Sequence, residues 1–174
     1  MDARRASEPT PMKNRTTVER KSERELVVTR TINGPARIVF EAFTKPELFK
    51  QWWVPRSIIG LSLLSCELDV RVGGKYRLVF GNDASEAMAF FGRYIEVTPH
   101  SRLVWTNDEG GDAGQVSTVT FEEKGGKTLL VLHELHPSKE AVDEAIGFGE
   151  GLRETFGQLD ELLVTLNTVE PWGS

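Results

Sequence analysis

The chain carries one cysteine, Cys66, in 174 residues. A single thiol cannot close an internal disulfide or build a cysteine-rich zinc site, so a reducing cytoplasm is the default compartment. Long apolar runs are also missing. The longest apolar-leaning stretch, Ser57 to Cys66, covers 10 residues, half of the ~20 that a membrane-spanning helix needs. The opening residues lack the ~7–15-residue apolar stretch of a secretory signal. No serine occupies a Gly-x-Ser-x-Gly elbow and Cys66 has no basic neighbour in sequence, so no nucleophile–base arrangement is legible.

Basic charge is in short supply as well. Lys and Arg number 21 against 26 Asp and Glu, a net −5. The imbalance is uneven: residues 1–24 hold seven bases and four acids, which leaves the remainder at −8. A body of that charge lacks the basic face that phosphate contacts require, which makes it a poor nucleic-acid binder. The first 24 residues contain Pro9 and Pro11, few aliphatics and no apolar period, and are expected to form a disordered basic tail. Over the whole chain 39% of residues are hydrophobic and 27% charged, with a mean hydropathy of −0.29. That is the composition of one globular domain, placed over residues 25–168 with a short tail at 169–174.

Periodicity assigns the elements. Glu25–Ile32 is β-branched and sets Leu26, Val28, Arg30 and Ile32 on one face at period two. Asn33-Gly34-Pro35 ends it; Ile38, Val39, Ala42 and Phe43 then recur at helical spacing, and a second short helix is expected over Pro46–Gln51. After Trp52-Trp53-Val54-Pro55 strands dominate. Cys66–Val72 and Lys75–Phe80 flank Gly73-Gly74, read as a tight hairpin. Met88–Val97, Arg102–Thr106, Val116–Glu122 and Lys127–Leu135 come next, the last two around Lys124-Gly125-Gly126. From Ser138 the pattern is helical, and Leu152, Phe156, Leu159, Leu163 and Leu166 make one apolar stripe. Antiparallel strands with helices before and after them mean α+β. A curved sheet of six to seven strands wrapped around one long terminal helix leaves space between them, a natural small-molecule pocket.

These residues carry a resemblance. Thr29-Arg30-Thr31-Ile32-Asn33-Gly34-Pro35, Val39-Phe40-Glu41-Ala42-Phe43-Thr44, Pro46-Glu47 and Trp52-Trp53-Val54-Pro55 resemble the opening of the SRPBCC (START/Bet v 1-like) superfamily. Asp69-Val70-Arg71-Val72-Gly73-Gly74 and Gly92-Arg93-Tyr94-Ile95-Glu96-Val97-Thr98-Pro99 are similar to its bacterial branch related to the C-terminal domain of the activator of Hsp90 ATPase. The resemblance spans roughly residues 25–166 and implies a helix-grip fold with a cavity between sheet and terminal helix. It implies no single activity, since relatives include lipid carriers, hormone receptors, polyketide aromatase/cyclases and chaperone regulators. Members commonly carry Gly-Trp early in the terminal helix; the matching pair here is Gly151-Leu152, which makes the pocket floor less aromatic.

Candidate site residues emerge from parity and from that geometry. Arg30 shares a face with an apolar set and must be paired, because an unpaired buried charge costs several kcal/mol. The preferred partners are Glu67, Asp69 or Glu134; the competing reading is a ligand carboxylate or phenolate, which the forked guanidinium suits. Of Trp52 and Trp53, one is expected in the core and the other over the pocket mouth. Phe80, Phe90, Trp105, Phe148, Leu152 and Phe156 supply further pocket surface, with Phe90 and Phe91 not separable by parity. His133 shares a strand face with Leu129, Val131 and Leu135 and is either a satisfied edge histidine or a polar pocket group. His133-Glu134-Leu135-His136 has a spacing of three, not the four of a helical zinc motif, so no metal and no cofactor is expected. Asp69 and Arg71 are expected to take part in cross-strand charge pairing.

The first functional reading is a binder of a small hydrophobic or amphipathic ligand held between sheet and terminal helix. The second is a cyclase or hydratase-like enzyme using the same cavity, which requires a converging acid–base pair. The third is an interaction module related to the chaperone activator. The expected partner is a small hydrophobic ligand, with no nucleic acid and no membrane span; a homodimer is left open.

Overall fold

The computed structural model describes residues 15–58, 60–81, 87–108, 114–146 and 149–169. Eight strands make one antiparallel sheet in the order β1-β2-β8-β7-β6-β5-β4-β3. They are β1 Thr17–Ser22, β2 Glu25–Ile32, β3 Ser62–Leu68, β4 Lys75–Gly81, β5 Met88–Thr98, β6 Arg102–Asn107, β7 Gln115–Lys124 and β8 Lys127–Leu135. Helices α1 Ala36–Thr44 and α2 Pro46–Phe49 follow β2, and α3 Lys139–Ile146 and α4 Gly149–Val169 follow β8. Strands β3 to β8 form a meander, and β2 closes against its last member with Val28 opposite Leu132 and Arg30 opposite Leu130. This is the α+β helix-grip architecture, with one strand more than the sequence indicates.

The additional strand is β1, which lies where a disordered tail was expected. Val18 pairs with Val28 and Arg20 with Leu26, so the edge of β2 supplies the hydrogen bonds that an isolated polar segment lacks. Arg20 also reaches Asp143 on α3 at 2.7 Å. Composition describes what a segment can bury by itself, and this one is held by backbone pairing with its neighbour.

The two double-glycine turns differ. At Gly125-Gly126 both residues have positive φ, and Lys124 pairs with Lys127, the geometry of a two-residue hairpin. Gly73-Gly74 is not one, because β3 ends at Leu68. Gly73 N donates to Tyr94 O at 2.8 Å and Tyr94 N to Gly74 O at 2.9 Å, so the glycines are taken up by β5. Residues 69–72 loop out, and within that loop Arg71 Nε pairs with Asp69 Oδ1 at 3.0 Å instead of making a cross-strand bond.

The inner sheet face carries Leu26, Val28 and Ile32 of β2, Leu130 and Leu132 of β8, and Val119 and Phe121 of β7, all buried. Helix α4 meets them with Phe156, Leu159 and Leu163, each 1% exposed or less. Leu152 and Leu166 flank this stripe half-buried. The α1–α2 segment inserts Phe43, Phe49 and Trp52 between the sheet and α4, and Trp52 Nε1 donates to Ala42 O at 2.9 Å. Among the described residues no helix is long and apolar enough to cross a membrane.

Candidate ligand cavity

The inner face of β3–β6 is not filled by the terminal helix. There a cavity of about 140 Å³ remains. The sheet supplies Leu68 of β3, Tyr76 and Leu78 of β4, Phe90 and Tyr94 of β5, and Leu103, Trp105 and Asn107 of β6; Phe43, Phe49 and Trp53 come from the helical side. The register explains the set. Leu78 opposes Phe90 and Tyr94 opposes Trp105, and Leu103, Trp105 and Asn107 share one face of β6 at period two. Phe90, 38% exposed, marks the mouth together with half-buried Trp53 and Trp105.

A backbone device holds the wall. Tyr76 Oη donates to Thr106 O at 2.6 Å across β5. This crossing passes over Gly92, where an added Cβ would collide with Thr106 O and lie 2.9 Å from the Tyr76 ring. Glycine is therefore required by close approach of a side chain and a strand.

The electrostatics of the wall are those of a neutral pocket. No described lining residue is an acid, a base or a histidine. Burial, reinforced by Cys66 and Asp69 nearby, pushes the Tyr94 phenol far above its ordinary value, so it remains a neutral hydroxyl. Burial likewise raises the Cys66 thiol on β3, which keeps it protonated and a poor nucleophile. Asn107 Oδ1 is buried without a hydrogen-bond partner.

Of the side chains that sequence parity nominated, Trp53, Phe90 and Trp105 line this cavity. The tryptophan pair divides: Trp52 is fully buried core, while Trp53 stacks on Phe49 with centroids 4.7 Å apart and faces the space. Phe90, sharing parity with Gly92 and Tyr94, points inward; Phe91 is 42% exposed on the other face. Phe80 is buried and backs Phe90 edge-on at 5.2 Å, outside the lining. Phe156 and Leu152 pack in the α4 stripe instead. Phe148 lies outside the described residues.

Arg30 is turned inward and buried, with none of the partners expected for it. Its Nη2 donates to Asp160 Oδ2 on α4 at 2.8 Å and its Nη1 to Thr16 Oγ1 at 2.8 Å. Asp160 sits at the same level of the terminal helix, a contact that strand parity alone does not reveal. His133 faces outward and meets Glu25 at 2.8 Å. The set Leu129, Val131, His133 and Leu135 is the outer face of β8, because Thr128, Leu130 and Leu132 are the buried ones. The cavity itself is shifted from its expected place: among the described residues none of α4 lines it.

Tyr94 and Asn107 do not stand out in the sequence. Period two counted forward from Trp105 reaches Asn107 and counted from Phe90 reaches Tyr94, and that is the signal by which they are found. Leu68, Tyr76, Leu78 and Leu103 are reached by register, whereas Phe43 and Phe49 read simply as helix core.

Comparison with known proteins agrees with this architecture. Residues 33–164 match the family described as Activator of Hsp90 ATPase homolog 1-like protein. A crystal structure of a Rhodobacter sphaeroides protein is 22% identical with a TM-score of 0.78, covering 87% of this chain and 99% of its own. A Nitrosomonas europaea protein is 27% identical with a TM-score of 0.74, over 86% and 99% of the two chains. A Staphylococcus epidermidis protein is 28% identical with a TM-score of 0.72, over 86% and 94%. No curated protein matches the chain.

Proposed function

The chain belongs to the activator of Hsp90 ATPase homolog 1-like family, and we propose that it binds a small apolar molecule in the aromatic cavity over β3–β6. One observation carries this reading: a gap of about 140 Å³ persists inside a closely packed domain, walled almost wholly by aromatic and aliphatic side chains. Interiors ordinarily leave few voids larger than a water, and each costs stability. A dry cavity of ~150 Å³ is large enough for one benzene. The ligand, or the part of it that enters, is therefore ring-sized. Apolar burial at ~25 cal/mol per Å² supplies the driving force.

A binder is favoured over a cyclase-type enzyme by the wall chemistry. Acid–base catalysis needs titratable groups poised near the working pH, and the described lining offers two tyrosines, Tyr94 held neutral by burial, and an asparagine in their place. A single cysteine, which can close no internal disulfide, supports a cytoplasmic setting.

Toluene titrated into the full chain tests the proposal. Binding raises the unfolding temperature in a concentration-dependent way. Leu68→Phe, which adds bulk to a half-buried position on the wall, abolishes that rise while the protein stays folded. A toluene response equal in Leu68→Phe and the parent would remove the cavity as its source.

A further inference from the structure

Asn107 closes the inner face of β6, and its Oδ1 is the one buried side-chain nitrogen or oxygen left without a hydrogen bond among the described residues. It also lines the cavity. A buried acceptor stripped of water and given nothing in return is unfavourable, and folded proteins rarely retain one without a use for it. The neighbouring polar groups do not relieve it. The Tyr76 hydroxyl is committed to Thr106 O. The Tyr94 hydroxyl makes no hydrogen bond among the described residues, and Tyr94 is a diagonal neighbour of Asn107, since it pairs with Trp105 two positions earlier on β6.

We propose that Asn107 is the recognition end of the cavity and that the molecule it selects is a neutral monocyclic phenol, whose hydroxyl donates to Asn107 Oδ1. This rests on the ligand-binding reading above and adds to it the chemistry of the ligand. An orphan acceptor demands a donor on the ligand. The described wall holds no acid or base, so neither an ammonium nor a phenolate would find a counter-charge, and the donor must be neutral. Size and lining admit one ring: the volume is that of a benzene site, and Trp53, Phe90 and Trp105 offer faces and edges to an aromatic guest. A hydroxyl fits better than a bare N–H donor because its lone pairs remain available to the Tyr94 hydroxyl on the same wall.

The test compares phenol, toluene and anisole, three single rings that differ in the donor, by titration of the full chain monitored through backbone amide resonances. Phenol is expected to bind about tenfold tighter than toluene or anisole, the ratio that one satisfied buried acceptor supplies. In Asn107→Leu the preference for phenol over toluene and anisole is expected to be lost. If toluene and anisole bind the parent protein as tightly as phenol, the phenol assignment is overturned while the cavity reading stands. If none of the three perturbs the cavity residues, both fall together. Should Asn107→Leu not fold, as its amide spectrum would reveal, the order of the three probes on the parent chain decides the matter.

Discussion

Arg30 of β2 and Asp160 of α4 are joined by two hydrogen bonds, Nε and Nη2 both donating to Oδ2, at 3.2 and 2.8 Å. The other oxygen of Asp160 accepts from Asn33 N at 2.9 Å. One carboxylate thus fixes the terminal helix to both an inward side chain and the end of its strand. With side-chain exposures of 9% and 14% the pair is largely out of water, and removing one partner leaves the other charge uncompensated. Arg30→Met is expected to cost about 3 kcal/mol. Asp160→Asn, which keeps the shape, is expected to cost less. Urea denaturation of the two variants checks the order, and equal stability to the parent in both would refute it.

Gln158 performs a similar service for the loop after Trp52. Its amide nitrogen donates to Trp52 O and Val54 O, both at 2.9 Å, and its oxygen accepts from Arg56 N at 2.8 Å. The residue is 4% exposed, so truncation strands backbone groups that water does not easily reach. Gln158→Ala should destabilise by about 2–3 kcal/mol and accelerate amide exchange at Arg56 selectively. Unchanged exchange there would show that the loop is held by something else.

The same loop has an acid-sensitive tie. Glu154 accepts from Ser57 Oγ at 2.5 Å and from Ser57 N at 2.8 Å. These bonds, the side-chain one foremost, hold its carboxyl below the ordinary value near 4.5. Asp143, bonded to Arg20 and Lys139, is lowered in the same way. A carboxylate whose folded pKa is depressed stabilises the fold above its unfolded pKa. That contribution is lost as pH falls through the folded value. The Ser57 amide is therefore expected to keep its position from neutral pH down to the ordinary carboxylate range and to move only below it. Glu154→Gln should remove this transition, and its persistence in that variant would assign it to another group.

Gly92 gives the sharpest steric prediction. Because an added Cβ would collide with Thr106 O beside the Tyr76 ring, Gly92→Ala has to force β5 from β6 or expel the Tyr76 hydroxyl bond. A cost of about 3 kcal/mol or more is expected, from the class of overpacked sites. Alanine at Gly151, where nothing lies within 4 Å, is the matched control and should be neutral or stabilising in its helix.

The sheet, the alternation of β2 and the α4 stripe are legible in the sequence, because each is a local period read against a fixed geometry. Cavity placement is harder to read. It depends on how far α4 extends over the sheet and on Phe43, Phe49 and Trp53 from another segment, a three-body packing result that no single period encodes. His133 shows the same limit: Leu129, Val131 and Leu135 form an apolar set, yet that set faces outward, because period two identifies two faces without naming the inner one. Thr17–Ser22 escapes a reading by composition because its stability lies in bonds to β2.

The most direct test of a binding cavity over β3–β6 is a nuclear Overhauser measurement on the methyl-labelled protein with toluene present. Contacts from the toluene ring to the methyls of Leu68, Leu78 and Leu103, and none to Leu159 or Leu163, are the predicted result. Contacts confined to exposed methyls such as Val72 and Ile95, or contacts along α4 alone, would contradict it.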